Sequence, residues 1–536
     1  MLAVFPKLRI TEQRNQPMST SQDAAVQATP APSRGFFGHP IGLSTLFFTE
    51  MWERFSYYGI RPLLVLFMSA ALAEGGFGIP RGQASAIVGI YAAGVYLASL
   101  PGGWVADRLL GLRRAIMLGA VLISLGHISI GFSSFAHTRV PFFLGLVFIV
   151  LGTGLLKPNI SAIVGDLYPE GGARRDAGFS VFYMGINTGA VLGQLFTGLL
   201  GEGLGWHWGF GIAGVGMLVG LIWFAVRSRT TLGNLGLDIA RDPDPVKQAR
   251  QERGVKIGLA IGLGLLALVI VLAATGVVVL DPQVIGQNMT YFLVGLAIIY
   301  FAYVFVFGGL NGEEKKRIVV IGILFFFAAI FWAGFEQAPT SLNLFARDFT
   351  ERHFLGFQIP AIWFQVINSV FIVLFAPFFA KLWLAMDRRG SNPSSPVKFS
   401  LGLLFAGLGF AIMIPAANLI LGSGGALKVS PWWLTISYIL QSIGELCLSP
   451  VGLSTMTKLS PRKYVGQMMG IWFLATSVGN LIAGLVGGSV DPEKLDQIPT
   501  LFIGTTVALI GAALLLLILT PFIKKLIPNE NELRGE

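Results

Sequence analysis

Glu50-Met51-Trp52-Glu53-Arg54-Phe55-Ser56-Tyr57-Tyr58-Gly59-Ile60-Arg61 lies inside a run, 44–71, that is otherwise apolar and long enough to cross a bilayer. Positions 50, 53, 54, 57, 58 and 61 recur at i, i+3, i+4, i+7, i+8 and i+11, which is one stripe of a helix. The stripe carries two carboxylates, two guanidiniums and two phenols. A charge at the centre of a membrane helix costs about 2.5–3.5 kcal/mol on insertion scales, so the stripe faces protein or a wet cavity. A static ion-pair cluster that only fixes helix register is the alternative reading.

The rest of the chain agrees with a membrane setting. Of 536 residues, 54% are hydrophobic and 12% charged, where soluble domains carry about 25% charged residues. That excludes a soluble enzyme, a disordered protein and a secreted disulfide scaffold. With Cys447 as the only cysteine, there is no intramolecular disulfide and no cysteine-based metal cluster. Apolar runs fall at 44–71, 82–106, 115–135, 141–165, 176–200, 207–226, 257–280, 290–310, 318–340, 357–384, 399–422, 431–456, 464–488 and 499–523. Lipid offers no partner to an unpaired backbone group, so these runs are expected as fourteen helices in an all-α integral membrane protein.

The basic residues sort by side. With the N-terminus inside, 29 of the 38 Lys and Arg residues fall on one face and six on the other, leaving Arg54, Arg61 and Lys157 within spans. This follows the positive-inside rule and places both termini in the cytoplasm. The net charge of +10 is therefore a topology signal, with lipid headgroups as partners and no nucleic acid. Residues 1–34 are read as a disordered cytoplasmic tail, 228–256 as a cytoplasmic connector and 526–536 as a second tail.

The chain also looks doubled. Pro158 precedes the exit Leu167-Tyr168-Pro169 by the same spacing that separates Pro450 from Leu459-Ser460-Pro461, and each exit leads to a basic pair and a Gly-rich span. Six spans before each equivalent point give a first bundle over 35–227, two additional helices over 257–310 and a second bundle over 311–525. A repeat with a site at its interface is the logic of secondary transporters.

Seven ionisable residues lie within spans: Glu50, Glu53, Arg54, Arg61, Lys157, Glu336 and Glu445. Lys157 is the natural partner for Glu50 or Glu53, and such a pair is a proton switch in principle. Glu336 and Glu445 have no intramembrane base in their own half, so Arg54 or Arg61 reaches across or a substrate brings the positive charge. Asn187 and Asn368 suit ligand binding or interhelical contact equally. The five histidines are scattered, and no phosphate-cradling Gly-rich loop is present to use ATP.

Gly102-Gly103-Trp104-Val105-Ala106-Asp107-Arg108-Leu109-Leu110-Gly111-Leu112-Arg113-Arg114 resembles the loop signature of the major facilitator superfamily. Glu50-x-x-Glu53-Arg54 with Phe-Ser-Tyr-Tyr-Gly resembles the hallmark of its proton-dependent oligopeptide transporter family, and Phe182-Tyr183-Met184-Gly185-Ile186-Asn187-Thr188-Gly189 resembles that family's span-five signature. The resemblance covers about 36–525, and the two extra helices are similar to bacterial members. It implies a major facilitator fold, two six-helix bundles plus two helices between them. It also implies a proton-coupled symporter of the inner (plasma) membrane that imports di- and tripeptides by alternating access.

By that resemblance Arg54, Tyr57, Tyr58, Arg61, Lys157 and Asn187 form the N-terminal half of a pocket, with Arg61, Lys157 and Asn187 at the peptide carboxyl end. Trp332, Glu336, Asn368, Glu445 and Trp472 form the C-terminal half, with Glu445 at the amino end. Proton coupling falls to Glu50, Glu53, Arg54, Lys157 and Glu336, and protons are the coupling ion with no other cofactor. Two positions depart from the pattern: Gly89 stands where animal members carry a proton-handling histidine, and Phe335 precedes Glu336 where some relatives have paired acids. A second possibility keeps the fold and changes the cargo to nitrate or an amino-acid conjugate. An integral membrane enzyme is disfavoured, because no catalytic constellation is found. A monomer is expected, since the span charges can be satisfied within one chain.

Overall fold

The computed structural model describes residues 35–136, 138–169, 172–239 and 244–526. The tail expected over 1–34 and all but the first residue of the tail over 526–536 lie outside the described residues. Sixteen helices follow in order: α1 (Gly42–Ser69), α2 (Arg81–Val105), α3 (Leu112–Ala136), α4 (Val140–Asp166), α5 (Gly172–Gly203), α6 (Trp206–Thr231), α7 (Pro245–Ala274), α8 (Pro282–Phe307), α9 (Gly312–Phe335), α10 (Asn343–Phe349), α11 (Trp363–Arg388), α12 (Ser395–Ala411), α13 (Met413–Gly422), α14 (Trp432–Leu459), α15 (Val465–Gly487) and α16 (Gln497–Leu526). Among the described residues thirteen segments are long and apolar enough to span; α9 continues through a π-helical turn into α10, and α12 runs into α13 with a break at Ile412. The charged α1, 28 residues long and almost wholly buried, makes the fourteenth.

Two boundaries moved. The ninth span, expected over 318–340, runs on to Phe349, because the chain widens at Ala338–Leu342 and stays helical past Pro339. In the connector read over 228–256, residues from Pro245 onward are already α7. The Asp244 carboxylate caps that helix by accepting from the Val246 amide (2.9 Å), and Pro245 opens it.

Helices α1 to α6 pack on one another, as do α9 to α16. Small residues set the closeness: a Cβ on Gly189 or Gly193 of α5 would collide with the Met51 or Phe55 carbonyl of α1. The bundles meet along α2 and α15. There Gly89 lies against Gly484, and a Cβ at 89 would stand 2.7 Å from the Asn480 carbonyl oxygen. Position 89 therefore has no room for an imidazole, a physical reason for the departure seen in the sequence. Helix α8 lies across this seam, with the Tyr300 hydroxyl donating to Gln467 (2.5 Å), while α7 leaves only Val255 buried.

The two ends of the seam differ. At the end with few basic residues, Arg81 pairs with Asp348 (2.5 Å), Arg347 with Glu74 (2.8 Å) and Arg352 with Glu202 (3.0 Å), each joining one bundle to the other. Asn343 also donates to the Pro62 carbonyl (2.8 Å), and the Trp363 indole to that of Leu195 (2.9 Å). At the basic end, no ion pair joins the bundles among the described residues. The structure is thus latched at one end.

Candidate functional site

A cavity of about 160 Å³ lies between the bundles, lined by α1, α2 and α5 on one side and by α9, α11 and α14 on the other. Its charges are Arg61 from α1, Glu336 and Glu445; α1 itself is helical despite four charges because the charged groups of the stripe meet partners. The Arg54 Nε lies 2.9 Å from Glu50 Oε1 and 2.5 Å from Glu53 Oε2, with all three side chains at most 3% exposed. Thr153 of α4 donates to Glu53 Oε1 (3.3 Å). Two turns on, the Arg61 Nη2 reaches across the cavity to Glu336 Oε2 (2.5 Å) and to Asn480 Oδ1 (2.6 Å). Glu336 is placed for this at the end of α9, beside the π-helical turn.

Glu445 of α14 stands differently. Asn368 of α11 donates to its Oε2 (3.1 Å) and also to Ser442 Oγ (3.0 Å), and no Lys or Arg pairs with the carboxylate among the described residues. Of the two sources of positive charge considered from sequence, Arg61 does reach across, but to Glu336 alone.

The cavity takes in Tyr58, Arg61, Asn187, Trp332, Glu336, Asn368 and Glu445 from the residues expected. Glu50, Glu53, Arg54, Tyr57 and Lys157 do not line it; Tyr57 is turned back against Tyr91, ring centroids 6.0 Å apart. Trp472 does not line it either: its ring packs edge-on to Phe399 (6.2 Å) and covers Gly452, inside the second bundle. The expected pairing of Lys157 is also replaced. Arg54 engages both carboxylates, and the Lys157 ammonium lies over the Tyr96 ring, 4.2 Å from its centroid. A neighbour on the same helix reaches both acids at lower entropic cost than a lysine from another helix.

Sequence reasoning missed Tyr96, Tyr183, Gln194, Gln365, Tyr438 and Gln441, all of which line the cavity. The glutamines were legible as amides within apolar runs. Several cavity groups lack a partner among the described residues: Arg61 Nε, Trp332 Nε1 and Gln365 Nε2 as donors, and Gln194 Oε1 as acceptor. Native proteins rarely leave buried polar atoms unpaired without a reason. Here all four side chains belong to the wall of one space that lies between a guanidinium and a carboxylate. That arrangement suits a short ligand carrying both charges and amide groups.

A family model described as the POT family matches residues 113–232 and 280–502. The chain is 49% identical over 496 residues to the peptide transporter YePEPT of Yersinia enterocolitica subsp. palearctica, covering 92% of this chain and 97% of that protein. It is 39% identical over 462 residues to a di-/tripeptide transporter of Lactococcus lactis subsp. cremoris, covering 83% and 89%. Among solved structures, a peptide transporter POT in complex with sulfate superposes with a TM-score of 0.85 at 39% identity, covering 93% of this chain and 98% of that one. A POT family transporter in complex with 5-aminolevulinic acid does so with a TM-score of 0.81 at 36% identity, covering 92% and 98%.

Proposed function

The chain belongs to the POT family, and from that premise we propose that it is a proton-coupled symporter importing di- and tripeptides by alternating access. It is a multi-pass inner (plasma) membrane transporter of the major facilitator fold, not an enzyme. The observation that carries the cargo assignment is the polarity of the cavity, with Arg61 on the α1 wall and Glu445 on the α14 wall. A zwitterionic peptide spans them with its carboxylate toward Arg61 and Asn187 and its ammonium toward Glu445 and Asn368. Arginine suits the first role because its planar fork matches a carboxylate in two hydrogen bonds. The unpartnered amides and the Trp332 indole serve the peptide bond, which every dipeptide shares.

Glu336 holds Arg61 in this conformation. Protonating Glu336 releases the guanidinium to the cargo carboxylate, which links proton and peptide. The cluster of Glu50, Glu53 and Arg54, with Lys157 one helix away, is the second coupling element: any change of protonation there leaves a buried charge unbalanced and shifts α1 relative to α4. The basic face is the cytoplasmic one and the latched end faces outward. One chain holds the whole cavity, so the functional unit is a monomer. Nitrate is disfavoured by Glu336 and Glu445. An amino-acid conjugate remains compatible, since a POT family transporter is known in complex with a thioalcohol conjugated peptide.

The test is uptake into liposomes of a dipeptide library, with and without an imposed pH gradient. Concentrative uptake of many dipeptides only with the acidic side outside is expected. Uptake indifferent to the gradient would remove the proton from the account, and gradient-driven uptake of nitrate but no dipeptide would replace the cargo.

A further inference from the structure

On the basic face, α11, α12, α14 and α16 enclose a second space, a groove of about 860 Å³ that shares no lining residue with the cavity described above, although Leu446 follows Glu445 and Ala376 lies one turn beyond Ile372. Its deep walls are apolar, with Phe379 and Trp383 from α11 and Leu446 and Val451 from α14. Its rim carries the ammonium groups of Lys398, Lys458 and Lys524. Asp387 is the carboxylate among the lining residues, and its Oδ1 already accepts from the Asn392 amide (3.1 Å). Three cations thus face one engaged anion.

Two polar side chains in this groove make no hydrogen bond among the described residues. Lys398 is only 9% exposed, yet forms no hydrogen bond and no ion pair among the described residues; its ammonium rests 4.5 Å from the centroid of the Trp383 ring. The charge of Asp387 acts on Lys398, but one carboxylate cannot balance three ammonium groups, which points to an anion that comes from outside the chain. The second group is Ser394, at the N-cap of the 17-residue α12. Its hydroxyl makes no capping bond and no other hydrogen bond among the described residues. It sits at the positive end of the helix dipole, where anions are favoured. Pro396 follows within that first turn and has no N–H to offer, so Lys398 and Ser394 supply the specific contacts.

We propose that this groove binds the phosphate of an anionic phospholipid drawn from the adjoining leaflet. The headgroup meets Lys398, Lys458, Lys524 and the Ser394 hydroxyl, and an acyl chain lies along Phe379, Leu446 and Val451. A free phosphate would satisfy the ammonium groups but leave the apolar wall uncovered. The groove also adjoins an exposed apolar face of α11, with Leu374, Phe378 and Leu384 more than half exposed. Basic pockets between membrane helices on the cytoplasmic side are a recognised way of holding acidic headgroups. A lipid seated there braces the free end of α11 against α12 and α14.

Native mass spectrometry and thermal unfolding of the full-length protein, purified and stripped of lipid, test this with phosphatidylglycerol, phosphatidylcholine and inorganic phosphate. Phosphatidylglycerol is expected to stay bound and raise the unfolding temperature, and the other two to do neither. Lys398→Gln and Lys458→Gln should each weaken phosphatidylglycerol binding about five-fold, and about 25-fold together if their effects add. Lys398→Arg should restore it. Should Lys398→Gln fail to fold, Lys458→Gln with Lys524→Gln reads the same loss from exposed positions. Equal retention of phosphatidylcholine, full retention of phosphatidylglycerol by the double variant, or stabilisation by inorganic phosphate alone would overturn the proposal.

Discussion

The α1 side of the central cavity and its α14 side handle buried charge in different ways. On α1, Glu50 and Glu53 share the guanidinium of Arg54 within two turns of one helix. On α14, Glu445 has an asparagine amide and no cation among the described residues. Between them, Arg61 of α1 takes Glu336 of α9 and leaves Glu445 alone. An arginine holds its charge at any physiological pH, so the α1 acids have a permanent cation of the chain beside them without a ligand. The α14 side completes its charge balance only when something positive enters. One side is therefore suited to coupling and the other to recognition, and substitutions should separate the two.

The largest effect is expected from Glu53→Gln. It leaves Arg54 with Glu50 alone and removes a carboxylate that Thr153 and Arg54 both contact. Gradient-driven dipeptide accumulation in liposomes should fall to background while counterflow exchange persists. Ordinary accumulation in this variant would return the cluster to a static role.

Arg61→Lys comes next. Lysine keeps the charge but offers a point donor in place of a fork, so one charged hydrogen bond is lost, worth about 1.5–3 kcal/mol. Competition assays should show affinity falling roughly ten-fold or more for nearly all dipeptides, with their rank order kept. A reordering of side-chain preference at unchanged mean affinity would place Arg61 in a side-chain subsite.

The smallest effect concerns a residue behind the α14 side. Trp472 packs on Phe399 and over Gly452, away from the cavity. Trp472→Phe should lower stability by about 1 kcal/mol, read as thermal unfolding, and leave dipeptide affinity unchanged. A marked loss of affinity would bring Trp472 back to the pocket wall.

These differences follow from what a sequence can carry. Span number was legible because hydrocarbon thickness fixes helix length and Lys and Arg alternate by side. The α1 stripe was legible because residues at i, i+3 and i+4 share a face whatever surrounds them. Lys157 was harder: its reach depends on how α4 sits beside α1 and α2, and there it meets Tyr96 rather than a carboxylate. Trp472 was harder for the same reason, since a rotation of α15 decides whether an indole faces the cavity or the bundle. The length of the ninth span depended on a widened turn around Pro339, where proline usually signals an end. The latches at one end pair residues more than a hundred positions apart, and no local pattern reports them.

The central claim is that Glu445 awaits the amino group of a cargo whose carboxylate is held on the α1 side. A two-by-two comparison tests it: binding of a free dipeptide and its N-acetyl form to the unmodified protein and to Glu445→Gln, by competition at one pH. The account predicts that Glu445→Gln weakens the free dipeptide about ten-fold or more and barely changes the already weak N-acetyl form. An equal loss for both forms would show Glu445 acting on the protein's structure rather than on the peptide's charge, and would contradict the account.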